Sequence, residues 1–368
     1  MSNQESISSI QMSILFLAFM TGSSIVVIPA PLVNAAGNGA WLSLLLLWPI
    51  GLLLLGCVLY LNRIYPGMSF IQYSRRAIGG WLTIIVAIPY TCVMFWHVAG
   101  IVSEISVFFK STMMKQTPSY AISALFFFTI ALTVRCGIEV IARMAVILSI
   151  LMFCFIVLIL VLVAPLYHPD YAEPILPDGF GPVLYGSYIA YGFPYSELVV
   201  FAMLLPFVRK QEQKKIGKHL SIALTLNVVT LLISVVSCMM VLGPLAGDLK
   251  YSLYQLSRLI FLREIIERIE SVIAFSLTVG FYIKSAIMLY ILMKVLSQLL
   301  HVKDERFLVF PVALVCMLLS LTTYRDEASL TEQVNMVWPL LDNVAYIAPL
   351  LLVAAVTLVR SGFQRKRV

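Results

Sequence analysis

Residues 191–197 read Tyr191-Gly192-Phe193-Pro194-Tyr195-Ser196-Glu197 and stand in the middle of an apolar run extending from 183 to 207. Glycine loosens a helix and proline removes one of its donors. The surrounding run is long enough to cross a hydrocarbon core. Backbone freed at that depth is tolerated only within protein or around a cavity, so the run reads as a membrane helix that comes apart beside a site.

A second run has the same character. Within 12–32, Thr21, Gly22, Ser23 and Ser24 precede a β-branched stretch that ends at Pro29. Further apolar runs lie near 41–61, 81–109, 119–135, 142–164, 219–243, 264–298, 307–323 and 337–360. Together they predict about ten transmembrane helices. The composition agrees, because 61% of the 368 residues are hydrophobic and 12% charged, where a soluble domain carries about 25% charge. The alternating pattern of barrel strands is absent, so the fold class is all-α membrane.

Charge sets the orientation. With both termini cytoplasmic, sixteen Lys and Arg residues fall on the inner side, among them Arg63, Arg75, Arg76, Arg209 and Lys210, and six on the outer, among them Lys110, Lys250 and Arg258. That follows the positive-inside rule. The net charge of +7 is therefore a topology and lipid-headgroup signal and does not point to nucleic acid. The six cysteines, Cys57, Cys92, Cys136, Cys154, Cys238 and Cys316, lie in or at the ends of apolar spans and read as small buried hydrophobes. The N-terminal MSNQESISSIQ has no Lys or Arg, so the first span is expected to stay in the mature protein.

The sixth, interrupted run comes five spans after the first, an odd number, so the two enter the bilayer from opposite sides. This is the arrangement of a five-plus-five inverted repeat with discontinuous helices 1 and 6 meeting at the midplane. It divides one membrane domain into repeats at 1–164 and 183–360, followed by a basic tail at 361–368. The polar stretch 62–80 reads as a loop, and 165–182 as an irregular outer cap. Leu253, Leu256, Leu259 and Ile260 predict a short amphipathic helix on the outer face.

Charge in a bilayer costs at least about 2.5 kcal/mol, which makes embedded ionisable residues functional candidates. His97, Glu104, Glu197 and Lys284 qualify. His97 reads either as a packed hydrogen-bonding residue or as a proton shuttle. Glu197 reads either as an acceptor for backbone freed by the break or as a ligand contact. Lys284, flanked by Tyr282 and Ser285, needs a partner from another helix, with Glu197 and Glu104 the candidates. Its ammonium either takes the place where transporters of this type bind sodium or snorkels toward an inner vestibule. Glu104, Glu197, Lys284 and Ser285 are the candidate ion or proton pathway. The string Glu267-Arg268-Ile269-Glu270-Ser271 reads as a structural or docking feature at a helix start. No nucleophile elbow, His-Glu-x-x-His or phosphate loop appears, and the four histidines are scattered, so no enzyme, cofactor or metal site is expected.

These residues carry a resemblance. Met20 to Ser24 followed by Ile28-Pro29, the outer string Glu173 to Pro182, the Glu197 segment running to Leu205-Pro206-Phe207, and Ile266 to Ser271 resemble the membrane-embedded B subunit of bacterial spore germinant receptors, within the amino acid-polyamine-organocation transporter superfamily. Ser23 and Ser24 replace part of that family's glycine pattern, and Ala30 follows the proline.

The resemblance implies a LeuT-like fold in the spore inner membrane. It further implies a subunit that binds a small germinant, typically an amino acid, and works with A and C subunits to trigger germination. The expected ligand site takes a carboxylate at Thr21, Gly22, Ser23 and Ser24. It takes an ammonium at Tyr191, Gly192, Phe193 and Tyr195, near Glu197, with selectivity from Phe193, Tyr195, Val199, His97 and Ile101. The alternatives are a proton-coupled amino acid transporter of the same superfamily and a passive channel subunit.

Overall fold

The computed structural model describes residues 5–176, 179–260, 269–302, 304–324 and 327–365. Of the residues singled out above, Pro177, Asp178, Ile266, Glu267 and Arg268 lie outside the described residues, as do three of the basic residues counted for orientation, Arg263, Lys303 and Arg325, and those beyond 365.

The chain opens with α1 (Ser9–Thr21), started by a capping box in which Ser8 Oγ accepts from Gln11 N at 3.1 Å and Gln11 Oε1 accepts from Ser8 N at 2.9 Å. It continues as α2 (Ser24–Val27), α3 (Pro29–Ala36) and α4 (Ala40–Ile64). Next come α5 (Phe70–Ile78), α6 (Gly80–Thr112), α7 (Ser119–Arg135), α8 (Ile138–Val163) and α9 (Phe180–Ala190). The second half holds α10 (Gln213–Leu242), α11 (Ser252–Arg258), α12 (Glu270–Leu300) and α13 (Val309–Thr322), then α14 (Glu327–Glu332), α15 (Trp338–Asp342) and α16 (Ala348–Arg365). Among the described residues, eight helices are long and apolar enough to cross a membrane, and Ser119–Arg135 is a shorter apolar one. The run 180–207 is divided among α9 and shorter turns, none of them among those eight.

The two interruptions are unequal. Between α1 and α2, Gly22 and Ser23 keep right-handed dihedrals, and the Gly22 amide still donates to Ala18 O at 2.8 Å. The first helix is slack there and stays wound. After α9, Phe193 has φ −149° and ψ 113°, so the sixth run is unwound at one residue. Beyond it, Ser196–Met203 forms a tighter 3₁₀ helix. Proline explains the difference, since Pro194 lies inside the sixth interruption, whereas Pro29 starts α3, where its missing N–H costs little.

Three other expectations change. Residues 70–78 are α5, with their own capping box at Ser69 and Gln72, because Phe70, Ile71, Tyr73 and Ala77 share a buried face that the Arg75-Arg76 pair disguises. Helix α11 does not lie on the surface: Leu253, Tyr254 and Leu256 are buried, while Leu259 is exposed. The cysteines are all free, yet only Cys238 and Cys316 are buried; Cys92, Cys136 and Cys154 are exposed.

Helix α12 runs through the middle, packed on α1, α6, α7 and α8. Helix α8 turns Ile147, Ile150, Val157 and Val161 outward, as a lipid-facing helix does. At the end of the bundle where α1 starts, the first described residues are stitched to several elements. Ile7 N donates to Phe207 O at 2.9 Å, Arg209 N donates to Ile7 O at 3.1 Å, and Ile138 N donates to Glu5 Oε2 at 3.0 Å. Glu212 Oε2 accepts from both Ser9 N and Ser9 Oγ at 2.7 Å.

Candidate functional site

Where the sixth run unwinds, four elements bring ionisable side chains together with no exposure to solvent. Helix α6 supplies His97, the segment after the break supplies Ser196 and Glu197, α12 supplies Lys284, and α15 supplies Asp342. His97 Nδ1 is 3.2 Å from Glu197 Oε1, and its Nε2 is 3.2 Å from Asp342 Oδ1. Lys284 Nζ is 2.5 Å from Glu197 Oε2. Ser196 Oγ lies 2.5 Å from Asp342 Oδ2 and 2.9 Å from Gly192 O, tying the break to the cluster.

Aromatic rings complete the walls. Trp338 stacks on His97 at 4.3 Å between centroids, and the Tyr346 hydroxyl is 3.5 Å from His97 Nδ1. The Lys284 ammonium lies 3.6 Å from the Phe193 ring centroid and 5.0 Å from that of Phe19. Gly192 backs directly onto Pro339 of α15, and any Cβ there would run into the proline ring. The residue just before the unwound one therefore rests on the helix that carries Asp342.

The proton count follows from this geometry. Each imidazole nitrogen of His97 faces a carboxylate oxygen, but a neutral imidazole has only one N–H. One further proton is needed, on the ring or on one of the two carboxyls. With it, the two acids are balanced by Lys284 and that proton, and the sealed site is neutral. An unbalanced charge here would cost several kcal/mol, on the order of a whole domain's margin of stability.

Three of the four ionisable candidates thus meet. Of the two partners open to Lys284, Glu197 is the one it has; the snorkelling alternative fails because Lys284 is fully buried and paired inside the bundle. Glu104 stands apart. It is 3.3 Å from Lys250 Nζ and accepts from Tyr251 Oη at 3.0 Å, lining a cavity of about 30 Å³ with Val27 and Pro31. Replacing Glu104 with leucine is expected to cost about 1.5–3 kcal/mol, the range for a hydrogen bond to a charged group, read by thermal unfolding.

The slack stretch of the first helix is mostly self-satisfied. Thr21 Oγ1 accepts from Asn227 Nδ2 at 3.0 Å, Ser24 Oγ donates to Met20 O at 2.5 Å, and Gly22 presses on Gly280 of α12, one turn before Lys284. Ser23 Oγ and Ser285 Oγ are buried without a hydrogen-bond partner among the described residues. Tyr195 turns its ring onto Gly51 of α4, while the Tyr191 hydroxyl donates to Asn343 Oδ1 at 2.7 Å. Ile101, one turn from His97, and Val199 are buried.

Asp342 is not singled out by the sequence reading, and Ser196 enters it only as part of the break. Asp342 is an acid within the apolar run 337–360, so the criterion that singled out Glu197 applies to it equally.

A helix slackened in the first span, one unwound in the sixth, and a buried polar cluster between them define the LeuT-like class of transporter folds. Solved structures agree. A Na⁺-coupled sialic acid symporter in a substrate-bound outward-open state superposes with a TM-score of 0.68 at 11% identity, over 93% of this chain and 81% of that one. MhsT in complex with L-phenylalanine gives 0.66 at 13% identity, over 96% and 89%. These likenesses concern the fold alone.

The family is fixed by sequence. The family model described as spore germination protein matches residues 6–328, and the chain belongs to that family, as a multi-pass, transporter-like and non-enzymatic B-type member. It is similar to Spore germination protein KB of Bacillus subtilis (strain 168), at 27% identity over 333 residues, covering 89% of this chain and 88% of that protein.

Proposed function

We propose that the chain is the nutrient-sensing subunit of a spore germinant receptor, binding an amino acid between the first and sixth helices and working with A and C subunits in the spore inner membrane. In this reading the chain makes ten crossings as a five-plus-five inverted repeat, with both termini on the spore-core side. The observation that carries it is the sealed ionisable cluster built on the unwound residue. A ligand with its own charges can exchange partners there and so move the break. The Gly22 N–H is already taken by Ala18 O, so the donor in that stretch that suits a carboxylate is Ser23 Oγ, buried and without a hydrogen-bond partner among the described residues.

Thermal unfolding of the purified chain against amino acids, sugars and nucleosides tests the ligand class. At least one amino acid is expected to raise the melting temperature, and Ser23→Ala, which removes a buried hydroxyl with no hydrogen-bond partner among the described residues, to shrink that rise while leaving the unliganded temperature nearly unchanged. A rise with sugars or nucleosides alone overturns the amino acid assignment.

One observation favours the second reading, a proton-coupled transporter: the imidazole of His97 sits between two carboxylates. Labelled amino acid supplied to the protein in liposomes separates the two. Binding without accumulation supports sensing, and accumulation driven by a proton gradient supports transport.

A further inference from the structure

We propose that Glu197, Phe193 and Phe19 form a binding cage for a primary ammonium group, and that Lys284 fills it from within as a tethered stand-in for a ligand. The cage has the two components that recognise such a group: a carboxylate oxygen at 2.5 Å from the nitrogen and aromatic faces at 3.6 and 5.0 Å. Rings and carboxylate together replace the water that an ammonium surrenders on burial.

A lysine is a costly way to fill space at this depth, since its charge is compact and strongly hydrated. A methionine would pack as well without that cost. The position of Lys284 explains the choice. Its backbone belongs to the central helix α12, fixed one turn away by the close approach of Gly280 to Gly22. Phe193, over which the ammonium sits, is the unwound residue itself. Glu197 stands four residues further along the same segment. The ammonium therefore ties the fixed helix to the break.

A nutrient's amino group is chemically the same object as the end of this side chain. When it takes the place beside Glu197, Lys284 is released, and the link between α12 and the break passes to a molecule that comes and goes. This last step rests on the nutrient-sensing reading; the cage does not.

Lys284→Ala removes three methylenes and the ammonium, which is the heavy-atom skeleton of n-propylammonium. The experiment measures thermal unfolding of the purified full chain, as wild type and as Lys284→Ala, with n-propylammonium, 1-propanol or tetramethylammonium. A saturable rise of several degrees is expected only for n-propylammonium acting on Lys284→Ala, and Phe193→Ala in that background is expected to weaken it several-fold. No rise, an equal rise with propanol, or an equal rise in the wild type overturns the cage. Should Lys284→Ala fail to accumulate in membranes, n-propylammonium supplied during expression is expected to restore it, and lack of recovery counts against the proposal. A propylammonium response in a chain whose wild type answers no amino acid upholds the cage and overturns only the nutrient reading.

Discussion

Glu197→Leu is expected to be among the most damaging single substitutions in the chain, lowering stability by about 3–5 kcal/mol, because it leaves the Lys284 ammonium in a sealed site without its carboxylate. It also removes one of the two acids between which His97 is held. The diagnostic comparison is with Glu197→Leu/Lys284→Met. Removing both partners takes away one positive and one negative charge and leaves His97 facing Asp342, a balanced pair. The double variant is therefore expected to recover most of the lost stability, since an apolar replacement of a buried pair is often close to neutral. Thermal unfolding of the two single variants, the double and the wild type gives the coupling directly. Damage in the double equal to the sum of the singles would mean that the pair does not interact. A stable double that no longer responds to any amino acid would show that the pair serves recognition more than folding.

The second large effect is expected at the crossing of α1 and α12. A Cβ on Gly22 would lie 2.7 Å from Gly280 Cα and 2.9 Å from Gly280 O, backbone atoms that cannot rotate away. Gly22→Val is expected to cost about 3 kcal/mol, at the upper end for overpacking, because the two helices must separate to admit it. Gly280→Val meets the Gly22 backbone in the same way. Helices in lipid associate through such close contacts between small residues. Thermal unfolding tests the stability. Full stability in both valine variants would mean that the helices do not approach this closely.

Much of the fold was legible because the bilayer imposes a length on each apolar run and forbids unpaired backbone within it. The interruption at Gly192 to Tyr195 was readable for that reason, and Lys284 with Glu197 because lone charges at depth need one another. What sequence spacing does not carry is direction across the bundle. It places Glu104 two turns from His97 on one helix, but Glu104 meets Lys250 and Tyr251, just ahead of α11, instead of the central cluster. It places Tyr195 in the break, but the ring faces α4. Asp342 was legible and passed over. Its role depends on α15, flanked by wide turns at Gln333–Val337 and Asn343–Ile347 that no periodicity announces. The slack at Gly22 was overestimated, since a glycine among serines permits unwinding without requiring it.

The stitching of residues 5–9 to Phe207, Arg209, Glu212 and Ile138 has a mechanical corollary. Phe207 and Arg209 close the same segment that begins at the unwound Phe193, and their main-chain partner is Ile7, at the very start of the chain. Any swing of that segment's lower end has to unzip the leader or drag it along. A fluorophore beside residue 6 would consequently register rearrangements of the distant ammonium cage, and trimming the leader would leave the lower end of the sixth helix unmoored.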